Sequence, residues 1–284
     1  YLFCHQICKH YNCIQSLGFP VMSLFLKMLL NLAYYKDNKF SYLCAKISED
    51  MKGKLYLIPT TLGETDPREV IPAPTLELIQ NIKVFVVEDV RSARRFLSKA
   101  GLKGSISDLE FFELSEHTER KTIEEYIQLF DNQQDVGLLS EAGLPAVADP
   151  GALLVELAHK NNIEVVPQVG PSSLMMALMS SGLNGQSFAF VGYIPVKTAE
   201  RVVKISQLEK NSKLLGQTQI IIETPYRNDS LLSDILKTCH PQTRLTIAAD
   251  ITLPTSTIKT KSISEWKRSN FSIGKRPCVF LILA

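Results

Sequence analysis

The stretch VGLLSEAGLPAVADPGALLVELAHKNNIEVVP, residues 136–167, joins an apolar run, a loop of small residues and prolines, an amphipathic stretch and a second apolar run. The runs at 136–140 and 164–167 predict β-strands, and the stretch at 151–161 predicts a helix. A strand, a helix and a strand at this spacing are typical of parallel strands joined by a crossover helix. The loop at 140–151 follows the carboxyl end of the first strand, where ligands bind in open α/β sheets.

The same alternation continues on both sides of this stretch. Upstream, the pattern predicts strands at 54–58, 83–88 and 110–114 and helices at 73–81, 91–100 and 119–131. Downstream, it predicts strands at 188–194, 219–223, 244–248, 257–262 and 278–283 and helices after Ser173, at 198–209 and at 226–238. We therefore expect two α/β domains with a cofactor cleft between them. The first sheet is expected to be mainly parallel, and two consecutive late strands predict a mixed second sheet.

The segment Gly170-Pro171-Ser172-Ser173 breaks this rhythm and is typical of a domain junction. We expect an N-terminal α/β domain at 51–169 and a C-terminal α/β domain at 170–284. Residues 1–50 hold four of the six cysteines but one of the fourteen glycines. They are interpreted as an extension outside the fold, with Met51 as the working start.

Charge and hydropathy restrict the partners. The net charge of +2 over 284 residues gives no overall attraction to polyanions, so an RNA partner requires a local basic patch. The apolar stretch at 19–35 is interrupted by Lys27 and falls short of the roughly 20 apolar residues of a membrane span, so we expect no membrane partner. Cys239 and Cys278, the cysteines of the main body, favour a reducing, cytoplasmic location.

Several common site motifs are absent from the sequence. It contains no G-x-G-x-x-G, P-loop, H-E-x-x-H or G-x-S-x-G pattern, which removes the usual support for dinucleotide, nucleotide, zinc-protease and serine-hydrolase functions. The spacing of Cys4, Cys8, His10 and Cys13 matches neither a zinc knuckle nor a common iron–sulfur run, so no metal site is predicted.

Four loops after predicted strands are candidates for the functional site. The loop at 59–64 holds an extended backbone open but also suits a simple turn. The segment at 88–91 places two acids before a helix, where they could equally serve as a cap. The loop at 140–151 would let a flat ligand lie close to the main chain. The segment at 170–173 would present free helix amides and hydroxyls to the cleft.

Taken in order, these loops resemble a known family. The strings that carry the resemblance are LYLIPTTLGE (55–64), VEDVRSARRFL (87–97), SEAGLPAVADPG (140–151), VVPQVGPSSLMMALMSSGL (165–183), FVGYIP (190–195) and IIIETPYR (220–227). They are similar to the tetrapyrrole methylase superfamily of S-adenosylmethionine-dependent methyltransferases. Within it they most resemble the branch of ribosomal RNA small subunit methyltransferase I, which methylates a 2′-hydroxyl of 16S rRNA.

The resemblance implies a homodimer whose cofactor, S-adenosylmethionine, lies in the cleft between the domains. Carried over by position, the cofactor-binding residues are Pro59, Ala142, Gly143, Val147, Ser172, Ser173, Glu223, Ala249 and Pro277. Glu88, Asp89 and Arg91 match an E-D-x-R motif on the side where substrate should approach. The expected substrate-binding residues are Arg91, Arg94 and Arg227, which would contact ribosomal RNA.

Methyl transfer to a hydroxyl calls for a base or for desolvation of the nucleophile, because the pKa of a hydroxyl is high. The position of Glu88, Asp89 and Glu223 at predicted strand ends makes them candidates for this role. Together with Arg91 they form the predicted catalytic set, and no metal is required.

Two departures from the family pattern keep other functions open. Where the ribosomal branch has R-E-L-T-K, this chain has Ala249-Asp250-Ile251-Thr252-Leu253, which lacks two cations that would suit RNA phosphates. The chain also ends with its last predicted strand, without the C-terminal helical module of long members. A methylase of a small molecule such as a tetrapyrrole, and a cofactor-binding protein without activity, are the alternatives.

Overall fold

A computed structural model describes residues 52–284, which form one compact unit. The extension predicted at 1–50 lies outside the described residues. The unit contains two five-stranded sheets, one built from residues before Gly170 and one from residues after it. The expected α/β class is therefore confirmed.

The N-terminal sheet is entirely parallel. Its strands are β1 (Leu55–Ile58), β2 (Val84–Val87), β3 (Glu110–Glu113), β4 (Val136–Leu139) and β5 (Val165–Pro167), in the order β3-β2-β4-β1-β5. Every residue of β2 and β4 is buried, as expected for central parallel strands that are covered on both faces.

Helices cover both faces of this sheet. They are α1 (Pro67–Val70), α2 (Ala73–Ile79), α3 (Val90–Leu97), α4 (Arg120–Glu125) and α5 (Ala152–Lys160), with short π or 3-10 turns at Ser98–Leu102, Ile106–Asp108 and Tyr126–Gln133. Helices α2 and α3 pack on one face, where Ile79 and Phe96 join Phe85. Helices α4 and α5 pack on the other, where Ile123 and Leu154 join the core.

The neighbouring strands β1 and β4 send their connections in opposite directions. The connection from β1 to β2 runs over the face of α2, and the connection from β4 to β5 runs over the face of α5. The loops that follow β1 and β4 therefore diverge and leave an opening above the carboxyl ends of these two strands. Such a topological switch point is the usual ligand position in an open α/β sheet.

The C-terminal sheet is mixed, as the sequence predicts. Its strands are β6 (Phe188–Gly192), β7 (Thr218–Glu223), β8 (Arg244–Ala249), β9 (Thr257–Ser262) and β10 (Cys278–Leu283), in the order β6-β7-β10-β8-β9. Only the pair β6–β7 is parallel. The helices are α6 (Ser173–Ser181), α7 (Thr198–Leu215), α8 (Asn228–Thr238) and α9 (Ile263–Arg268), with a 3-10 turn at Pro225–Arg227.

The two faces of the C-terminal sheet have separate cores. Helices α7, α8 and α9 cover one face around the buried Trp266, whose indole Nε1 donates a 2.8 Å hydrogen bond to the carbonyl oxygen of Leu245. Helix α6 covers the other face with Leu174 and Leu178. Leu62, from the loop after β1, packs into this second core, so the N-terminal half reaches into the C-terminal one.

Two short helices are absent from the sequence-based assignment, although both carry starting signals. Helix α1 begins with a capping Asp66 and a proline, and α9 begins with a capping box between Ser262 and Glu265. Helix α7 continues six residues beyond its predicted end and stops at Gly216, whose φ of 60° is left-handed. The predicted helix at 119–131 is only half α-helical.

Substitution of Gly170 tests how closely the two halves of the chain approach each other beside Pro59. A Cβ at this position would lie 2.3 Å from Cβ of Pro59, at the end of β1. We expect Gly170→Ala to lower the free energy of unfolding by about 1–3 kcal/mol in urea denaturation, because the methyl group has no room. Gly185→Ala is the control, since a Cβ there meets nothing within 4 Å. Equal stability of the two variants would contradict this packing.

Candidate functional site

A cleft opens above β1 and β4, and its walls come from both halves of the chain. It holds about 480 Å³ of space, part of it continuous with solvent. One wall is the loop at 140–151, and the facing wall is the start of α6. The lining residues are Ala142, Gly143, Leu144, Val147, Ala148, Asp149, Ser172, Ser173, Leu174, Tyr193 and Ile222.

Backbone hydrogen bonds fix the loop wall against β1. The N–H of Thr60 donates to the carbonyl oxygen of Gly143 over 2.9 Å, and the Thr60 hydroxyl donates to the carbonyl oxygen of Ser140 over 3.3 Å. Gly143 has a φ of 81°, and a Cβ there would lie 3.1 Å from Leu62. Only glycine meets both conditions without strain.

The loop itself carries backbone strain. Ala146 and Ala148 have φ values of 63° and 65°, a left-handed conformation that is uncommon outside glycine, asparagine and aspartate. Such residues cost free energy and occur preferentially where the surrounding structure holds a functional segment in place. Here they flank Val147 and precede Asp149, both of which line the cleft.

The facing wall is a helix start. Ser172 caps α6, and its hydroxyl oxygen accepts a hydrogen bond from the N–H of Met175. The first turn of a helix leaves backbone amides without intrahelical partners, and the helix dipole gives this end partial positive charge. The sequence-based pairing of 140–151 with the serine pair is therefore geometrically sound, because both segments line one cleft.

Asp149 is the titratable group of the cleft that sequence reasoning passed over. Burial, reinforced by the negative charge of Glu88, raises the pKa of Asp149 to about 7, although a hydrogen bond with Ser140 opposes the shift. Tyr193 lines the cleft with it, and burial followed by the charge of Asp149 raises the pKa of that phenol. The available signal was a carboxylic acid that follows a run of small apolar residues, between Ala148 and Pro150.

The acids predicted from the E-D-x-R motif lie outside the lining of the cleft. Glu88 is half-buried, burial raises its pKa, and its Oε2 accepts a hydrogen bond from the N–H of Glu141. Asp89 caps α3 by accepting a 2.6 Å bond from the N–H of Ser92, which lowers the pKa of Asp89. Arg91 is exposed on the first turn of α3.

Glu223 is held in place at the end of β7. Its side chain is fully buried, and Oε1 accepts hydrogen bonds from the N–H of Thr224 over 2.7 Å and from Nε of Arg227 over 3.0 Å. Among the described residues, Oε2 has no hydrogen-bond partner. A buried carboxylate oxygen without a donor is costly and marks a position where a ligand could donate.

Pro59, Ala249 and Pro277 also lie outside the lining. Pro59 is buried beneath Gly170. Ala249 and Glu223 both pair with Cys278 of β10, and the carbonyl oxygen of Pro277 accepts a hydrogen bond from the N–H of Asp250. Glu223, Ala249 and Pro277 thus lie at the same end of the C-terminal sheet, next to Ile222, which lines the cleft.

The three cations predicted to face a substrate differ in their partners. Arg227 is paired with Glu223, whereas Arg91 and Arg94 are exposed and form no ion pair among the described residues. The guanidinium of Arg94 lies 5.1 Å from the centre of the Phe111 ring. Farther along α3 and its continuation, Arg95 and Lys99 are both paired with Glu64.

Two further kinds of feature are absent from residues 52–284. In that range, no group of three or more His, Cys, Asp or Glu side chains could hold a metal ion. None of the helices there combines the length and apolar character that a bilayer span requires. Cys4, Cys8, His10 and Cys13 lie outside the described residues.

Comparison with known proteins identifies relatives by sequence. The chain is 30% identical over 213 residues to ribosomal RNA small subunit methyltransferase I of Neisseria meningitidis serogroup B, covering 75% of this chain and 69% of the relative. It is 28% identical over 233 residues to the protein of that name from Pseudomonas aeruginosa, covering 81% of this chain and 78% of the relative. No protein-family model matches the sequence.

Solved structures share the fold. The methyltransferase CobJ superposes with a TM-score of 0.54 at 12% identity, covering 81% of this chain and 94% of that one. Uroporphyrin-III C-methyltransferase from Thermus thermophilus, complexed with S-adenosyl homocysteine, gives a TM-score of 0.51 at 15% identity and covers 81% of this chain and 97% of that one. At these identities the likeness concerns the fold alone.

The raised pKa of Asp149 predicts a specific pH dependence of stability. The folded chain binds the Asp149 proton up to about pH 7, whereas the unfolded chain releases it near its ordinary pKa of about 4. Stability therefore falls as pH rises between these values and is level above them. Asp149→Asn should become more stable relative to wild type between about pH 4.5 and about pH 8 in urea unfolding.

Glu77→Gln, which removes an exposed carboxylate from α2, is the matched control and should show no such trend. If the difference between Asp149→Asn and wild type is the same at both pH values, Asp149 is not desolvated as described.

Proposed function

The chain belongs to the family of ribosomal RNA small subunit methyltransferase I, and we propose that it transfers a methyl group from S-adenosylmethionine to a 2′-hydroxyl of small-subunit ribosomal RNA. The observation that carries the proposal is the cleft whose walls are the small-residue loop and the start of α6. Its position at the topological switch point is independent support.

The residues of the cleft suit S-adenosylmethionine. Ala142, Gly143 and Ala148 carry small side chains or none, which leaves room for an extended ligand against the main chain. The start of α6 and the Ser173 hydroxyl offer hydrogen-bond donors for a carboxylate. The unpartnered Oε2 of Glu223 offers an acceptor at the neighbouring sheet edge.

In this proposal the cleft residues align the acceptor and take its proton. S-adenosylmethionine supplies an activated methyl group on a sulfonium. The protein's own task is to hold the acceptor hydroxyl in line and to exclude water. Asp149 is the base that accepts the hydroxyl proton, because it lines the cleft and its carboxyl titrates near neutral pH, where a general base works best.

The predicted catalytic roles stay predictions for Glu88, Asp89, Arg91 and Glu223. The surroundings of the three acids favour positioning or electrostatic roles over direct proton transfer. Asp89 and Glu223 already accept hydrogen bonds that stabilise their charged forms. Glu88 acts on Asp149 through its charge. Pro59, Val147, Ala249 and Pro277 are retained as cofactor neighbours because they border or line the same opening.

The proposal includes a homodimer in the cytoplasm. Apolar side chains on the outer side of α6 and the segment before it are exposed, with 82% of Met179 and 72% of Val169 accessible. Such side chains beside the cleft suit burial against a second copy of the chain. The free thiols of Cys239 and Cys278 suit a reducing compartment.

Methylation of a small molecule such as a tetrapyrrole is the second candidate. The pairing of Arg95, Lys99 and Arg227 with internal carboxylates favours it, because it leaves few cations for an RNA backbone. A third possibility, binding of the cofactor without transfer, is separated from both by the assays below.

The activity is tested with labelled S-adenosylmethionine and small subunits that lack the modification. We expect label in the rRNA of wild type and at least about 10-fold weaker cofactor binding for Ala142→Leu, because the exposed Ala142 lines the cleft and a leucine would fill it. Ala152→Leu, exposed on α5, should bind as wild type does. Cofactor binding without transfer to rRNA would overturn the RNA assignment.

The base is tested by Asp149→Asn under single turnover at saturating cofactor. We expect a rate about 10²- to 10⁴-fold lower than wild type, since the amide cannot accept the proton. The wild-type rate should rise with pH to about 7 and then level, as the carboxylate form accumulates. Glu77→Gln should keep both the rate and the profile, and an unchanged rate in Asp149→Asn would remove Asp149 from the mechanism.

A further inference from the structure

A second cavity adjoins the cleft and is built from the loop after β1 and the outer face of α3. It holds about 770 Å³ of space that is open to solvent. Ala142 lines both cavities, so they are separated only by the tip of the loop at 140–151. Its charged residues are Glu64, Arg95, Lys99 and Glu141.

Two cations of this cavity converge on a single carboxylate. Arg95 and Lys99 are one helical turn apart and lie on the same side of the chain segment that continues α3. Nη1 of Arg95 lies 3.3 Å from Oε1 of Glu64, and Nζ of Lys99 lies 2.6 Å from Oε2 of the same side chain. The hydrogen bond from Lys99 is the main reason that the pKa of Glu64 is lowered.

The Glu64 carboxylate lies where another anion could replace it beside Arg95 and Lys99. The side chain of Glu64 is 72% exposed, and exposed ion pairs contribute little to stability. Glu64 therefore can leave the two cations at small cost. A phosphodiester offers the same arrangement of two anionic oxygens, and arginine and lysine are the usual residues that bind it.

We propose that Arg95 and Lys99 bind a backbone phosphate of the RNA strand beside the acceptor nucleotide, and that Glu64 occupies this phosphate position while RNA is absent. The inference rests on the proposed function and specifies how the substrate is held.

Within residues 52–284, other charged side chains near this cavity do not form ion pairs with Glu64, Arg95 or Lys99. Arg68 is paired with Asp66 at the start of α1, and Arg94 stacks on Phe111, so neither shares the carboxylate of Glu64. Glu141 lines the cavity without an ion pair to Arg95 or Lys99 among the described residues. An incoming phosphate thus displaces one ion-paired side chain, Glu64, while the charge of Asp66 acts on Lys99 from beyond ion-pair distance.

The test measures KM for unmodified small subunits, over a range of KCl concentrations, with cofactor binding measured in parallel. Glu64→Gln should lower this KM about 3- to 10-fold, because the competing charge is gone. Glu69→Gln is the matched control. It removes an exposed charge five residues along the chain that forms no ion pair with Arg95 or Lys99.

The double variant Arg95→Ala with Lys99→Ala should raise KM and reduce the slope of log KM against log salt by about 1 for each lost phosphate contact. Arg95→Lys with Lys99→Arg keeps both charges and should retain the slope. Cofactor binding should be unchanged in all of these variants.

The outcomes separate this inference from the proposed function. If wild type transfers no methyl group to small subunits, the proposed function fails. If wild type is active but Glu64→Gln matches Glu69→Gln, and the Ala double variant keeps the wild-type salt slope, the phosphate position is wrong. Tighter binding of inorganic phosphate without any change in KM for subunits would also overturn it.

Discussion

The hydrogen bond from the Thr60 N–H to the carbonyl oxygen of Gly143 joins the loops that leave the two neighbouring strands β1 and β4. These strands send their connections over opposite faces of the sheet, so their loops would otherwise separate completely. The bond holds one wall of the cleft close to β1, and Leu62 then carries the β1 loop into the core of the C-terminal half. The left-handed Gly143 and the close packing of Gly170 on Pro59 follow from this arrangement.

Internal pairing dominates the electrostatics around the cleft. Glu223 holds Arg227, Glu64 holds Arg95 and Lys99, and Asp89 is committed to the start of α3. Asp149 and Glu88 are exceptions, because the charges that act on each of them are other carboxylates. Burial and like charges disfavour the ionised forms of these two acids, whereas hydrogen bonds from Ser92 stabilise the ionised form of Asp89. Acids close together at one cleft therefore differ in the chemistry available to them.

The departure from the R-E-L-T-K string has a structural counterpart. Asp250 accepts a hydrogen bond from the hydroxyl of Thr255 and lies 3.7 Å from Nη1 of Arg276. Thr252 takes a φ of 76°, which is strained for a β-branched residue, and Leu253 packs against Gly63. The segment after β8 thus supports the β1 loop by packing. Leu253, where the resemblance predicts a lysine, contacts the N-terminal half, whereas Ala249, where it predicts an arginine, is buried in the core of the C-terminal half.

The order of strands and helices was encoded locally and could be predicted. A few consecutive residues are enough to identify the apolar runs of β2 and β4, the capping serine before α6 and the small-residue loop at 140–151. The pairing of that loop with Ser172 and Ser173 was also predictable, because parallel strands end at the same edge of a sheet. The burial of individual side chains and the pairing of charges could not be predicted in this way. They depend on residues distant in the chain, such as Glu88 beside Asp149 and Glu64 beside Lys99.

The sequence by itself determined the α/β architecture and the segments that form the cleft. Only the tertiary structure decided which carboxylates stay without a cation, since pKa and charge pairing depend on distances between elements that sequence spacing does not fix.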